Sequence, residues 1–502
     1  MRVGAIAGAV IVAALGVVVS SCAVSPPRAS LYYVHPNGND STGTGSRGMP
    51  WRTIAKACAA VTGGAGHTIR VSAGYYAESH TCNLPCKTNL RGAGSARTTV
   101  IGSADPLILL RNCMHRANAQ TISDLRLDGQ NRNAGVFGLR ATRTRGLTIK
   151  RMVAQEFKGP ANAGGGALDI YRAWDLDLGN SVLRNSGNAN TTACSGTLGL
   201  GEIHNSKIHD LEITDDRGYG VKTSTNGIPQ SSHLSNVEFY NIRVDVSSET
   251  CAKWNTLAFE LYRVTATNVV IRDSTFNRVL SLIDDAGRLA PGFRYRVHNN
   301  VFAVPSGNNY AIELHADSSI VDHNYFYGGL YPIADSTRRL RTDNTIHHNV
   351  FDNQNGPTAG VHMTGGLKGA RFYNNTLVLR QASWRDGVFS LGLASGATST
   401  IDIRNNIFTS VHAIGDKLGI GLAASIIHRN SFYNVTARGT SAIVGDPQLP
   451  LVGGFPAAYI PSARSVAIDA GVTIRGINDE YRGSAPDVGA FERGSTWSVG
   501  PR

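Results

Sequence analysis

The chain has 502 residues, 56 of them glycine and 18 proline, with charged residues at 17% and a formal net charge of +12. That composition suits many short strands joined by turns and argues against a helical protein. Lys and Arg are scattered rather than blocked, which argues against a nucleic-acid partner and leaves an acidic polysaccharide, a phospholipid surface or simply a solvated exterior as readings of the charge.

Met1-Arg2, an apolar run from Val3 to Val19 and then Ser20-Ser21-Cys22 form a secretory leader over residues 1–22. Val19-Ser20-Ser21-Cys22 resembles the bacterial lipobox, which would put a lipid on Cys22 and hold the protein in the periplasm or at the cell surface. Ordinary cleavage after Ala23, with small residues at Ser21 and Ala23, is the other reading and would make it a secreted protein. No other apolar stretch reaches the roughly 18 residues needed to span a bilayer. Membrane contact is therefore expected only through the lipid, and the chain is expected to be a monomer.

Residues 30–100 are expected to form an N-terminal cap and the first coils. Six cysteines follow the leader: Cys58, Cys82, Cys86, Cys113, Cys194 and Cys251. An even number in an exported chain points to disulfides. The first four cluster near the N-terminus, and the last two fall in loops placed on one side of the molecule. A four-cysteine zinc site lacks the second short pair it would need, since only Cys82 and Cys86 are closely spaced.

Over residues 101–445 a short phrase recurs. It reads Val297-His298-Asn299-Asn300-Val301-Phe302, then Val321-Asp322-His323-Asn324-Tyr325-Phe326, and returns around Asn349, Asn375, Asn406 and Asn430. The second asparagine advances by 24, 25, 26, 31 and 24 residues, a period that signals a repeat architecture. Leucine-rich repeats share the length but need a leucine frame that is absent. The phrase is strand, asparagine, strand: asparagine tolerates the left-handed backbone of a sharp turn. Stacked asparagines can also hydrogen-bond at the strand spacing of about 4.8 Å. The fold expected is all-β, a right-handed parallel β-helix solenoid with an N-terminal capping segment that contains a short helix. The asparagines and their neighbours His298, His323, His347, His348 and His428 are read as scaffold rather than as a metal site.

Tyr32-Tyr33-Val34-His35-Pro36-Asn37-Gly38-Asn39-Asp40 and Pro50-Trp51-Arg52-Thr53-Ile54-Ala55-Lys56-Ala57 lie near one end. Ile468-Asp469-Ala470-Gly471, Asp479-Glu480-Tyr481-Arg482-Gly483 and Pro486-Asp487-Val488-Gly489-Ala490-Phe491-Glu492 lie near the other, within a closing segment over 446–502. Together they resemble the opening and closing segments of bacterial β-helix proteins of the pectate-lyase superfamily. The resemblance implies a loop and a short amphipathic helix over the open end, where uncovered backbone edges would otherwise be exposed. The Trp-x-Asp-His and Arg-x-Pro-x-x-Arg phrases of pectate lyases are missing, as are Asp-Pro-His-Glu of alginate epimerases and the paired aspartates and Gly-His-Gly of polygalacturonases. No catalytic residue carries over, and a fold hosts many functions.

Candidate chemistry comes from the strand preceding each asparagine phrase. Alternation places Asp169, Glu202, Lys222, Glu260 and Glu313 along one outer face, with Tyr262 and His315 in the next outward slot. Later coils offer neutral residues there, such as Ser390. Long loops at 186–201 and 246–255 would wall this face into a groove. Three functions fit it. The first is β-elimination of a uronic-acid polysaccharide, which needs a base and a cation beside the developing enolate. Lys222, near Arg217, is the candidate base, with Glu260, Glu313 and His315 in catalytic support. Calcium could neutralise the substrate through Asp215, Asp216, Asp284 and Asp285. Asp169, Glu202, Tyr219, Trp254 and Tyr262 are the expected substrate contacts. The second is glycoside hydrolysis by Glu260 and Glu313, and the third a non-catalytic carbohydrate-binding or adhesive solenoid.

Overall fold

The computed structural model describes residues 29–115, 119–131, 137–158, 165–187, 195–215, 218–223, 232–247, 257–284, 292–305, 310–328, 331–353, 358–380, 387–392 and 398–502. The coils are built of short strands, up to three in each, and among the described residues most strands pair in parallel with counterparts one coil before and one coil after. Phe137–Arg145, for example, lies between Ile108–Cys113 and Gly166–Trp174. Three parallel sheets therefore run the length of the molecule around one apolar core. In some coils adjacent strands merge, as in Gly196–Asp215 and Leu257–Arg272.

The asparagine phrase occupies the corner between the second and third strands, and its two positions do different jobs. The first takes the left-handed conformation, with φ of 56° at Asn299, 54° at His323, 53° at His348, 47° at Asn374, 56° at Asn405 and 53° at Arg429. The second is buried and builds the ladder. Its amide nitrogens reach the next Oδ1 at 3.0 Å from Asn300 to Asn324, Asn324 to Asn349, Asn349 to Asn375 and Asn375 to Asn406, and at 2.9 Å from Asn406 to Asn430. Each also donates to a backbone carbonyl that the turn would leave unpaired, such as Val321 O from Asn349. Full satisfaction is what lets a polar column run through the interior. Beside it, Phe276, Phe302, Phe326 and Phe351 stack at centroid distances of 5.3, 4.9 and 4.7 Å. Burying each contributes about 1.5–3 kcal/mol.

At the N-terminal end the expected helix forms over Ile54–Ala60. Thr53 caps it, accepting from Lys56 N, and the Glu78 carboxylate accepts from Ile54 N and Ala55 N at 2.7 and 3.1 Å. Three amide donors of the first turn are thereby satisfied. Cys58–Cys82 and Cys86–Cys113 bond this region to the first coils. Cys194 and Cys251 lie outside the described residues, as do the leader and Cys22. Among the described residues, no helix is long and apolar enough to cross a membrane.

The closing segment does more than end the solenoid. After Ile443–Val444, the last paired strand, the chain turns back along the asparagine corner. Val472 O accepts from Asn405, Asp487 O from Asn374 and Ser498 O from Asn299, and Arg502 N donates to Asn241. The second amide of each corner pair is used inside the core, so the outward first amide is free to hold this returning strap.

Candidate active site

Strand register defines the outward row on the first-strand sheet. It runs Leu109, Arg140, Asp169, Gly199, Lys222, Glu260, Ser281, Glu313, Ala334, His362, Ser390 and Ile420. Lys222, Glu260 and Glu313 therefore share one face, as expected. Glu202 does not. Gly199 holds that coil's place, while Glu202 sits at the corner with φ of 56° and pairs with Arg172 at 2.7 Å. A glycine has no side chain to mark an outward slot, so the pattern had been read three residues too far along.

Lys222 Nζ lies 3.0 Å from Glu260 Oε2, with the two side chains only 16% and 14% exposed. The ammonium also sits 5.0 Å from the Tyr219 ring centroid, a cation–π distance. Burial pushes the Glu260 carboxyl up; Lys222 opposes the shift and Glu313 adds to it. Ser281 donates to Glu313 Oε2 at 2.6 Å. His315 Nε2 lies 3.2 Å from Glu313 Oε1 and 3.3 Å from Asp335 Oδ1. Burial pushes this imidazole down, although both carboxylates pull the other way.

Asp335 escaped the sequence reading. It stands in the inward register between Leu314 and Met363, where alternation predicts an apolar residue. It is fully buried, and Arg341 and Thr337 bind its carboxylate. A buried carboxylate must be paired, so this anchor holds His315 against Glu313. Tyr310, whose phenol burial pushes up, packs near it. Tyr331 stacks on His362 at 4.5 Å. The signal for Asp335 was a charged residue in a column otherwise apolar except for Thr223.

The other expected site residues are dispersed. Asp169 is buried against Arg140 at 2.8 Å, so its carboxylate is already occupied. Tyr262 is 36% exposed beside the row. Asp284 is not an available metal ligand: Arg294 Nη1 lies 2.5 Å from its Oδ2, with both side chains buried, so a guanidinium stands where a cation would bind. Asp216, Arg217, Trp254 and Asp285 lie outside the described residues, as does the side chain of Asp215. The carboxylates of the described row each face a cation or a hydroxyl donor, and of the four expected calcium ligands only Asp284 has a described side chain. On the asparagine corner, Asp322, His323 and His347 place one ligand atom each within 4.8 Å of one another. Arg296 binds both Asp322 oxygens at 3.0 Å there, so the cluster is already charge-paired.

No curated protein matches the chain. A family model described as "Protein of unknown function (DUF1565)" matches residues 36–233. Among solved structures, pectate lyase Pel9A is 15% identical over 93% of this chain and 97% of that one, with a TM-score of 0.35. The mannuronan C-5 epimerase AlgE4 A-module of Azotobacter vinelandii is 15% identical over 76% and 91%, with a TM-score of 0.41. A mannuronic acid specific polysaccharide family 6 lyase from human gut microbiota is 10% identical over 85% and 89%, with a TM-score of 0.36. The class that the strand register defines is the parallel β-helix solenoid.

Proposed function

We propose that this protein is an exported enzyme that cleaves a uronic-acid polysaccharide by β-elimination at the Lys222–Glu260 pair. The single observation carrying this reading is the shielded ion pair at 3.0 Å in the centre of the outward row. A buried pair of this kind can exchange one proton to become a neutral amine and a neutral acid, since loss of solvation penalises both charged forms. The amine then removes the C5 proton of a uronate: the C–H bond breaks and an N–H bond forms. The new ammonium lies beside the enolate that develops. As the C4–O bond breaks and the C4=C5 double bond forms, the Glu260 carboxylic acid protonates the leaving oxygen. These two transfers leave Lys222 as ammonium and Glu260 as carboxylate, the starting ion pair, and one proton exchange between them regenerates the reactive neutral form. No step needs a metal. Glu313, held by Ser281 and His315, positions the neighbouring sugar. Export through the leader, with a lipid on Cys22, belongs to this reading.

Inverting hydrolysis is the second reading, favoured by one observation. Glu260 and Glu313 stand two strand steps apart, about 10 Å, at the edge of the range of about 6.5–9.5 Å for inverting carboxylates.

Incubation with polygalacturonate, alginate and glycosaminoglycans separates the readings. Absorbance from unsaturated uronic ends is expected, and Lys222→Ala should abolish it; because the variant leaves Glu260 without its cation, circular dichroism at the assay temperature checks that it is still folded. New reducing ends without that absorbance would mean hydrolysis, and binding without either product would mean a non-catalytic solenoid. An active Lys222→Ala variant would remove the base.

A further inference from the structure

A cavity of about 660 Å³ lies over the second strands of the first coils, away from the Lys222 row. Four arginines line it, Arg47, Arg70, Arg91 and Arg97, together with Tyr33 and His35. Strand register stacks Tyr33, Arg70 and Arg91 in successive coils. Two cations on adjacent strands repel each other, an arrangement that costs stability unless something anionic lies between them. One carboxylate enters the cavity, Asp124, and it is already occupied. Arg151 grips it at 2.6 and 2.9 Å and thereby holds it down to about 2. Arg91, at 3.3 Å, is a second cation on that same group. Among the described residues, no carboxylate pairs with Arg47 or Arg70. Arg97 is fastened through Nη2 to Ala93 O, so its position is set by the fold.

We propose that this cavity is a second carbohydrate site, which takes the carboxylate groups of an acidic oligosaccharide. Its volume falls in the range of about 300–1,000 Å³ typical of ligand pockets. Guanidinium forks grip a carboxylate with two parallel hydrogen bonds, and half-buried Tyr33 is among the residues lining the cavity. A concave pocket of arginines beside a tyrosine suits a chain of charged rings better than the flat surface of a bilayer. The choice of a uronate over other carboxylates rests on the lyase reading. The two sites share no strand, so one polysaccharide could be held at the cap while another stretch is cut.

The test is calorimetric titration of the full chain with oligogalacturonate, oligomannuronate, oligoguluronate and a neutral oligosaccharide of equal length. A Lys222→Ala background prevents turnover. At least one oligouronate should bind, more weakly as salt rises, and Arg47→Ala/Arg70→Ala should weaken it by about tenfold or more. Both arginines are exposed, and circular dichroism with thermal unfolding checks that the variant folds. Unchanged affinity in the double variant, or no oligouronate binding at all, would overturn the proposal. Binding only to phosphatidylglycerol vesicles would overturn it too, by assigning the pocket to lipid. Arginine-dependent binding, together with no unsaturated product from any substrate when the unsubstituted chain is assayed, would sink the lyase reading alone. Cleavage with affinity indifferent to the arginines would sink this site alone.

Discussion

Two columns of the same solenoid use polar residues in opposite ways. On the asparagine corner the coils from Asn300 to Asn430 repeat one solution. Asn349 donates to Asn375 Oδ1, Val321 O and His347 O, and it accepts from Asn324 N and Nδ2. Nothing there is left over for a ligand. On the first-strand row the residue changes at nearly every step, from Arg140 and Asp169 through Gly199 to Lys222, Glu260, Ser281 and Glu313. Those charges pair locally in the partly open sheet face, where an incoming group can compete for them. In a repeat protein, uniformity marks what the backbone requires, and a break in uniformity marks where other chemistry can be placed.

The largest expected effect tests the irregular column. Glu260→Gln removes the acid from the proposed pair and should lower cleavage by about 10²–10⁴-fold, read as the rate of unsaturated product formation. Full activity would take Glu260 out of the chemistry. The next tests the regular column. Asn349→Ala strands the Val321 carbonyl and two Asn324 donors, each costing about 1–3 kcal/mol when buried and unpaired. Urea unfolding should move accordingly, and an unmoved midpoint would show that the ladder is ornamental to stability.

The smallest concerns the histidines that border the ladder. Burial holds His347 down to about 4, against the pull of Asp322, while the unfolded imidazole titrates near 6.5. The folded pKa is depressed, so the unfolded state binds the extra proton between these values. The stability is fully present above about pH 6.5 and is lost as pH falls toward 4. The slope reaches at most about 1.4 kcal/mol per pH unit for this group. His347→Asn should flatten that part of the profile; an unchanged slope would assign the acid sensitivity elsewhere.

Much of the fold was legible because it repeats. Six copies of one phrase outweigh the ambiguity of any single strand, and the cap helix was expected from the resemblance of the opening segment to those of other β-helix proteins. Lys222, Glu260 and Glu313 were legible for the same reason, being outward positions in recognisable copies of one strand. Glu202 was misplaced because Gly199 leaves no trace in an alternation pattern. Asp335 was missed because one charged residue in an inward slot reads as the end of a strand. Asp284 looked like a ligand until Arg294, ten residues on, was seen against it.

The sequence by itself determined the solenoid, its period, its asparagine corner and the outward face with the changing charges. These follow from local turn chemistry and alternation, which act within one coil. Tertiary structure alone decided which charges meet: Lys222 with Glu260, His315 with both Glu313 and Asp335, Arg70 with Arg91 above an already neutralised Asp124. It also decided that the closing segment returns along the asparagine corner. Loop lengths between coils vary, so residues that meet across strands lie at no fixed separation in the chain, and only the stacked register brings them together.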